Sequence, residues 1–142
     1  MRLDSSALAR VRLWIEKADE DLRAAEILRA SPDASASVVG FHVQQAIEKA
    51  LKGYLVACRR FPGKVHDLGL LAARAALLDA AFARHVEALE PWTHFAVEER
   101  YPMDWPGGAP PDLDAGIALA RQVRDLAADR IAGELPDPGS GS

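Results

Sequence analysis

His42, Gln45, Lys49 and Lys52 are spaced by three, four and three residues. On a helix this spacing sets them in a line along one face. An imidazole can move a proton near neutral pH, an amide can both donate and accept hydrogen bonds, and two ammonium groups carry fixed positive charge. That set suits a phosphate-bearing ligand, although an ordinary solvated helix face gives the same pattern. Between His42 and His66 lie Lys49, Lys52, Arg59, Arg60 and Lys64 against a single acid, Glu48. The region is a local basic patch on a chain whose net charge is −4, a balance that argues against indiscriminate nucleic-acid binding by the whole surface.

The stretch that carries these residues, Phe41–Leu55, also has an apolar arc. Ile47, Leu51, Tyr54, Leu55 and Cys58 fall together at about 100° per residue. Gln44 lies inside that arc, so its amide should be buried with partners of its own. Cys58, on the same arc, reads as packing. As the only cysteine, it excludes an internal disulfide and a cysteine-based zinc cluster. No histidine pair is spaced with carboxylates as a metal site requires, so neither a metal nor a cofactor is expected. No run approaches the about 18 apolar residues of a membrane helix, and the N-terminus lacks an apolar signal core, so a cytoplasmic protein is expected.

The elements that must position these groups read as helices throughout. The first starts near Ser5 or Ser6 as caps. Its seam is Leu8, Val11, Ile15, Ala18, Leu22 and Ala25, at alternating three and four. It ends at Ser31-Pro32-Asp33. The second runs from about Ala34 to Arg59 and is broken by Phe61-Pro62-Gly63. The third starts at His66-Asp67, where Asp67 can serve the exposed amides of the first turn. A further piece covers about Ala80–Val97, with Pro91 as start, break or kink. Tyr101–Asp112 is a loop rich in Pro and Gly. The last helix follows Asp112, with Leu113, Ile117, Ala120, Val123, Ala127 and Ile131 facing inward, and stops near Gly133. The expected fold is all-α, an up-and-down antiparallel bundle of four main helices with a short extra helical piece. It makes a single domain over residues 1–135, with 136–142 as a flexible tail.

FHVQQAIEKALKGYL at 41–55 and HDL at 66–68, extended by FAVEERYP at 95–102 and WIEKADEDLRAAEIL at 14–28, resemble the HEPN domain, a family of small helical nucleotide-binding domains. The resemblance covers most of residues 10–105. It implies association with a separate minimal nucleotidyltransferase in a two-component, toxin–antitoxin-like system, and commonly a homodimer, for which the seam of the first helix and Trp14 are suited. The expected role is a non-catalytic partner that binds nucleotide or RNA through Gln45, Lys49, Lys52, His66 and Arg100.

The nuclease branch of that family carries an arginine and then a histidine with about four to six residues between them, for metal-independent cleavage of RNA by its own 2′-hydroxyl. Here Arg59 and Arg60 precede His66 with six and five residues between. Arg60 and His66 are therefore the candidates for an alternative, an endoribonuclease toxin. A local role for His66 at the helix start stands beside it, as does a third reading, a purely structural interaction module. Where the family reads a small or hydroxyl residue before Arg-Tyr-Pro-Asp, this chain has Glu99 before Arg100, and Met103 intervenes before Asp104. His94, between Trp92 and Phe95 in the same region, is expected to be packed.

Overall fold

Four helix starts share one device, an oxygen-bearing side chain accepting a backbone N–H of the first turn. Asp4 accepts from Ala7, Ser35 from Val38, Asp67 from Leu70 and Asp112 from Ala115. They open α1 (Ser5–Ala30), α2 (Ala36–Ala57), α3 (Leu68–Leu78) and α5 (Leu113–Ala132). The computed structural model describes residues 1–96 and 111–137. The cap of α1 is Asp4, not Ser5 or Ser6, because a carboxylate one residue earlier already reaches the free amide. The expected piece from Ala80 is subdivided: a 3₁₀ segment at Ala80–His85, a single α turn, α4 (Val86–Leu89), and a second 3₁₀ segment at Glu90–Phe95 with Pro91 in its first turn. No strand is present among the described residues. The architecture is the expected antiparallel bundle of α1, α2, α3 and α5 with a short extra helical piece.

The seam of α1 is buried at Val11, Ile15, Ala18, Leu22 and Ala25. Its direction relative to α5 is written in three ion pairs, Arg29–Asp114, Glu26–Arg121 and Asp19–Arg124, whose numbers fall on one helix as they rise on the other. At such exposure each contributes about 0–1 kcal/mol, so the pairs mark register more than they supply stability. The stabilisation comes from α2, which packs against α1, α3, α5 and the second 3₁₀ segment. Val43, Ile47, Leu51 and Leu55 are at most 2% exposed, each worth about 1.5–3 kcal/mol on burial. Tyr54 packs against Phe82 with ring centroids 4.6 Å apart and the rings tilted by 39°. Burial pushes both the Tyr54 hydroxyl and the Cys58 thiol above their ordinary values, so Cys58 is the packing residue its place on the arc suggests.

The second 3₁₀ segment docks its rings where α2 and α5 offer bare backbone. Trp92 and Phe95 stack on each other at 5.5 Å. A Cβ at Gly116 would collide with the ring of Trp92, and one at Gly40 with the ring of Phe95. His94, which falls between these two rings in sequence, does not pack with them: successive positions of a 3₁₀ turn point about 120° apart, and His94 is exposed.

The end of α2 is closed by paired backbone hydrogen bonds, Arg60 N–H to Leu55 O at 2.8 Å and Arg59 N–H to Val56 O at 2.9 Å. This is the Schellman arrangement, whose residue past the cap adopts left-handed backbone. Glycine is usual there; here it is Arg59, at φ 60°.

Candidate functional site

α2 is buried on most sides, yet one stripe of it is polar. Gln44, Glu48 and Lys52, four residues apart, rise along one face toward α3. Glu48 is the hub. Its Oε2 lies 3.1 Å from Lys52 Nζ, with both side chains below 10% exposure. Its Oε1 accepts from Gln44 Nε2 at 2.8 Å and meets His66 Nδ1 at 2.9 Å. Gln44, fully buried, also donates to the His66 carbonyl at 3.3 Å and accepts from Gln45 Nε2 at 2.7 Å. Every buried polar group of this stripe thus has a partner, the condition for tolerating them in a core. The chain of bonds runs from Lys52 inside to His66, whose side chain is 58% exposed. With Nδ1 held by the carboxylate, Nε2 has no hydrogen bond among the described residues.

The second acid is Asp21 of α1. Its carboxylate is held between His42 Nδ1, at 2.9 Å, and Lys49 Nζ. Asp21 is itself largely buried. The positive charge of the 42–52 region is therefore matched, Lys49 by Asp21 and Lys52 by Glu48. Lys52 does not stand on a solvated face as the helical wheel suggests, because α3 and its leading turn cover that side of α2.

Lys49 also borders a concavity. A groove of about 290 Å³ between α1 and α2 is lined by Arg10, Leu13, Trp14, Lys17 and Lys49. Its walls are mostly apolar, Trp14 packing at the Gly53 backbone of α2, and its rim carries three cations, of which Lys17 pairs with Glu20 at 3.1 Å, Lys49 pairs with Asp21, and Arg10 donates to the Ser6 hydroxyl. A second groove, of about 300 Å³ between α1 and α5, holds Arg12, Glu16 and the paired Asp19 and Arg124, so its charges are largely matched.

Of the expected site residues, Gln45, Lys52 and His66 belong to the Glu48 network and Lys49 to Asp21 and the groove. Arg100 lies outside the described residues, as do Glu98, Glu99 and Tyr101 to Asp104. Arg60 Nη1 donates to the Cys58 carbonyl at 3.3 Å, at the end of α2. Arg10, Lys17, Asp21 and the buried role of Glu48 were missed in the sequence, and Trp14 was read there only as a dimer contact. The i,i+4 spacing of Gln44, Glu48 and Lys52 carried a signal for the buried pair. Asp21 carried another, an acid beside the seam residues Ala18 and Leu22.

Among the described residues no three His, Cys, Asp or Glu side chains gather where they could hold a metal ion, and no helix is long and apolar enough to cross a membrane. The HEPN domain family model matches residues 11–131. No curated protein and no solved structure matches the chain.

Proposed function

This chain belongs to the HEPN family, and from that premise we propose that it binds nucleotide or RNA as the non-catalytic partner of a separate minimal nucleotidyltransferase, in a two-component, toxin–antitoxin-like system. The observation that carries the binding reading is the α1–α2 groove. An apolar floor with an indole suits a base, and Arg10, Lys17 and Lys49 on its rim suit phosphates. Gln45, beside Lys49 on α2, and His66, Arg100 and Lys52 complete the proposed set. Within it, Lys52 acts from inside, keeping Glu48 matched beneath His66.

The test is titration of ATP and of short oligoribonucleotides by calorimetry at low salt, with Lys17→Ala/Lys49→Gln beside the parent. The glutamine side chain keeps a donor for Asp21 while removing the charge. Loss of two phosphate contacts lowers affinity about tenfold or more and flattens the salt dependence. Equal binding by parent and variant removes the groove from the reading. Lys52→Ala is a poor probe of binding, since it strips a buried carboxylate of its counter-charge.

One observation favours the alternative, an endoribonuclease using Arg60 and His66: the Glu48–His66 contact fixes the ring as a carboxylate fixes a general base. Incubation of mixed RNA in EDTA reads it. Ends carrying 2′,3′-cyclic phosphate that vanish in His66→Ala support cleavage, and unchanged cleavage in that variant rejects this assignment. The seam of α1 expected to serve a homodimer is buried in the chain's own core, so a homodimer would use instead the groove face of α1, where Leu13 and Ile27 are 56% and 58% exposed. Native mass at micromolar concentration, with and without nucleotide, separates self-association from ligand binding.

A further inference from the structure

We infer that the loop after α2, Arg59–Lys64, is a stacking platform for an unpaired base of single-stranded RNA, with Phe61 as the ring and Arg59 and Lys64 as the phosphate contacts. The inference rests on the RNA-binding reading above and gives it a substrate class.

Phe61 is 91% exposed, more than any other large apolar side chain among the described residues. A single apolar side chain in water is ordinary; what sets Phe61 apart is the loop that presents it and the charges around it. The loop beneath it is built firmly. The Schellman bonds close α2 just before it, Pro62 is buried and so anchors the residue next to the ring, and Gly63 turns the chain at φ 70°. A ring held this way loses little freedom when a base settles on it.

Arg59 is the second observation. It occupies the left-handed position where glycine is at no disadvantage. Its side chain is exposed, and no hydrogen bond or ion pair of its guanidinium occurs among the described residues. Side chain and backbone strain together give the fold nothing that glycine would not give. Strain retained at an exposed charged residue points to use of that charge.

The third is electrostatic. No acid occurs in the sequence between Glu48 and Asp67. Glu48 is buried on Lys52 and His66, and the Asp67 carboxylate caps α3. Asp79, the acid that acts on Cys58 at the end of α2, is paired with Arg130, so the charges of the loop itself are all positive, with Arg59 and Lys64 on either side of the ring in sequence, on a chain of net charge −4. Cations beside an exposed ring make the combination that binds single strands, because each base offers a π-face only when unpaired. Stacking on a ring is sequence-tolerant, because every base has a π-face. Because α1 runs antiparallel to α2, with Asp21 at His42 and Trp14 at Gly53, the Arg10 end of the groove points toward this loop, and His66 follows it directly. A strand stacked on Phe61 has both within its course.

The experiment uses a 5′-fluorescein oligoadenylate about ten nucleotides long and the same strand carrying 2-aminopurine, with parent, Phe61→Leu, Phe61→Tyr and Lys17→Ala/Lys49→Gln. Circular dichroism confirms that each variant is folded. The expected result is about tenfold weaker binding and loss of 2-aminopurine quenching in Phe61→Leu, with both kept in Phe61→Tyr and weaker binding to the duplex form. If the parent binds and Phe61→Leu binds and quenches equally, the platform is overturned while the groove reading stands or falls on its own double variant. If the parent binds no RNA, the RNA reading fails and takes the platform with it. Phe61-dependent binding to phosphatidylglycerol vesicles, with RNA binding unaffected by Phe61→Leu, reassigns the loop to a membrane surface and overturns the inference.

Discussion

His66 Nδ1 lies 2.9 Å from Glu48 Oε1, across 18 positions of sequence and from one helix to the leading turn of the next. The same carboxylate takes Lys52 and Gln44, so one buried acid fixes a cation, an amide and an exposed imidazole at once. Through that acid the mostly solvent-facing ring of His66 inherits the rigidity of the core.

Glu48→Gln should therefore cost about 3 kcal/mol or more, the penalty of leaving a buried ammonium without its counter-charge. Lys52→Met should cost less, since Gln44 and His66 still serve the carboxylate. The double variant Glu48→Gln/Lys52→Met should cost clearly less than the two singles summed. Urea denaturation of the four proteins decides this; additive losses would mean that the two residues are not coupled.

Gly116→Ala should destabilise by about 1–3 kcal/mol even though alanine is the better helix former. The added methyl group would run into the Trp92 ring, and that ring is 5% exposed, with little room to withdraw. Thermal unfolding reads the loss, and a compensating Trp92→Leu in the same protein should recover part of it.

Arg59→Gly should raise stability by about 0.5–1 kcal/mol. Relief of left-handed strain, about 1–2 kcal/mol, is offset in part by the greater freedom of glycine in the unfolded chain. The same substitution should weaken binding of single strands. Chemical denaturation and anisotropy on one preparation would show the two effects with opposite signs.

His85 is 4% exposed, and burial, then the neighbouring Arg84, holds its imidazole below the ordinary 6.5. The unfolded chain consequently takes up this proton first as the solution is acidified. The stability that His85 contributes is complete above pH 6.5 and is lost as pH falls from there through the lower value of the folded state. His85→Gln, which keeps an acceptor for Arg84 Nε, should show a shallower decline in stability between about pH 7 and pH 5 than the parent. Identical slopes would mean that His85 does not contribute to the acid sensitivity.

The helices were legible because each announces itself locally. Asp67 and Asp112 cap, Pro32 and Gly133 stop, and the three-four seam of α1 names its buried face. The burial of Gln44 was legible for the same reason, from its angle on the wheel. What the wheel could not contain was the neighbour. Lys52 and Lys49 are spaced like a solvated basic stripe, yet Glu48 and Asp21 match them. The first pair lies four apart on one helix, so its spacing carried the match but not its burial, which depends on what packs over that side of α2; the second match rests on a residue 28 positions earlier. Phe61 was legible only as a break in α2, since sequence marks where a helix ends and not what the end projects into water. The docking of Glu90–Phe95 was likewise hidden, since Trp92 and Phe95 meet bare backbone at Gly116 and Gly40, positions distant in sequence.

The position of α2, with partners along most of its length, has a consequence for how the molecule breathes. Its backbone amides should be the slowest to exchange with deuterated water, opening only when the whole domain unfolds, whereas the short segments from Ala80 to Phe95 should open locally and far more often. Gln44, Gln45, Glu48, Lys49 and Lys52 all hang from that most persistent helix. A partner that grips or loosens the outer segments therefore leaves these groups in place, and the site's geometry should survive excursions that would scatter the same residues had they been carried on a peripheral element.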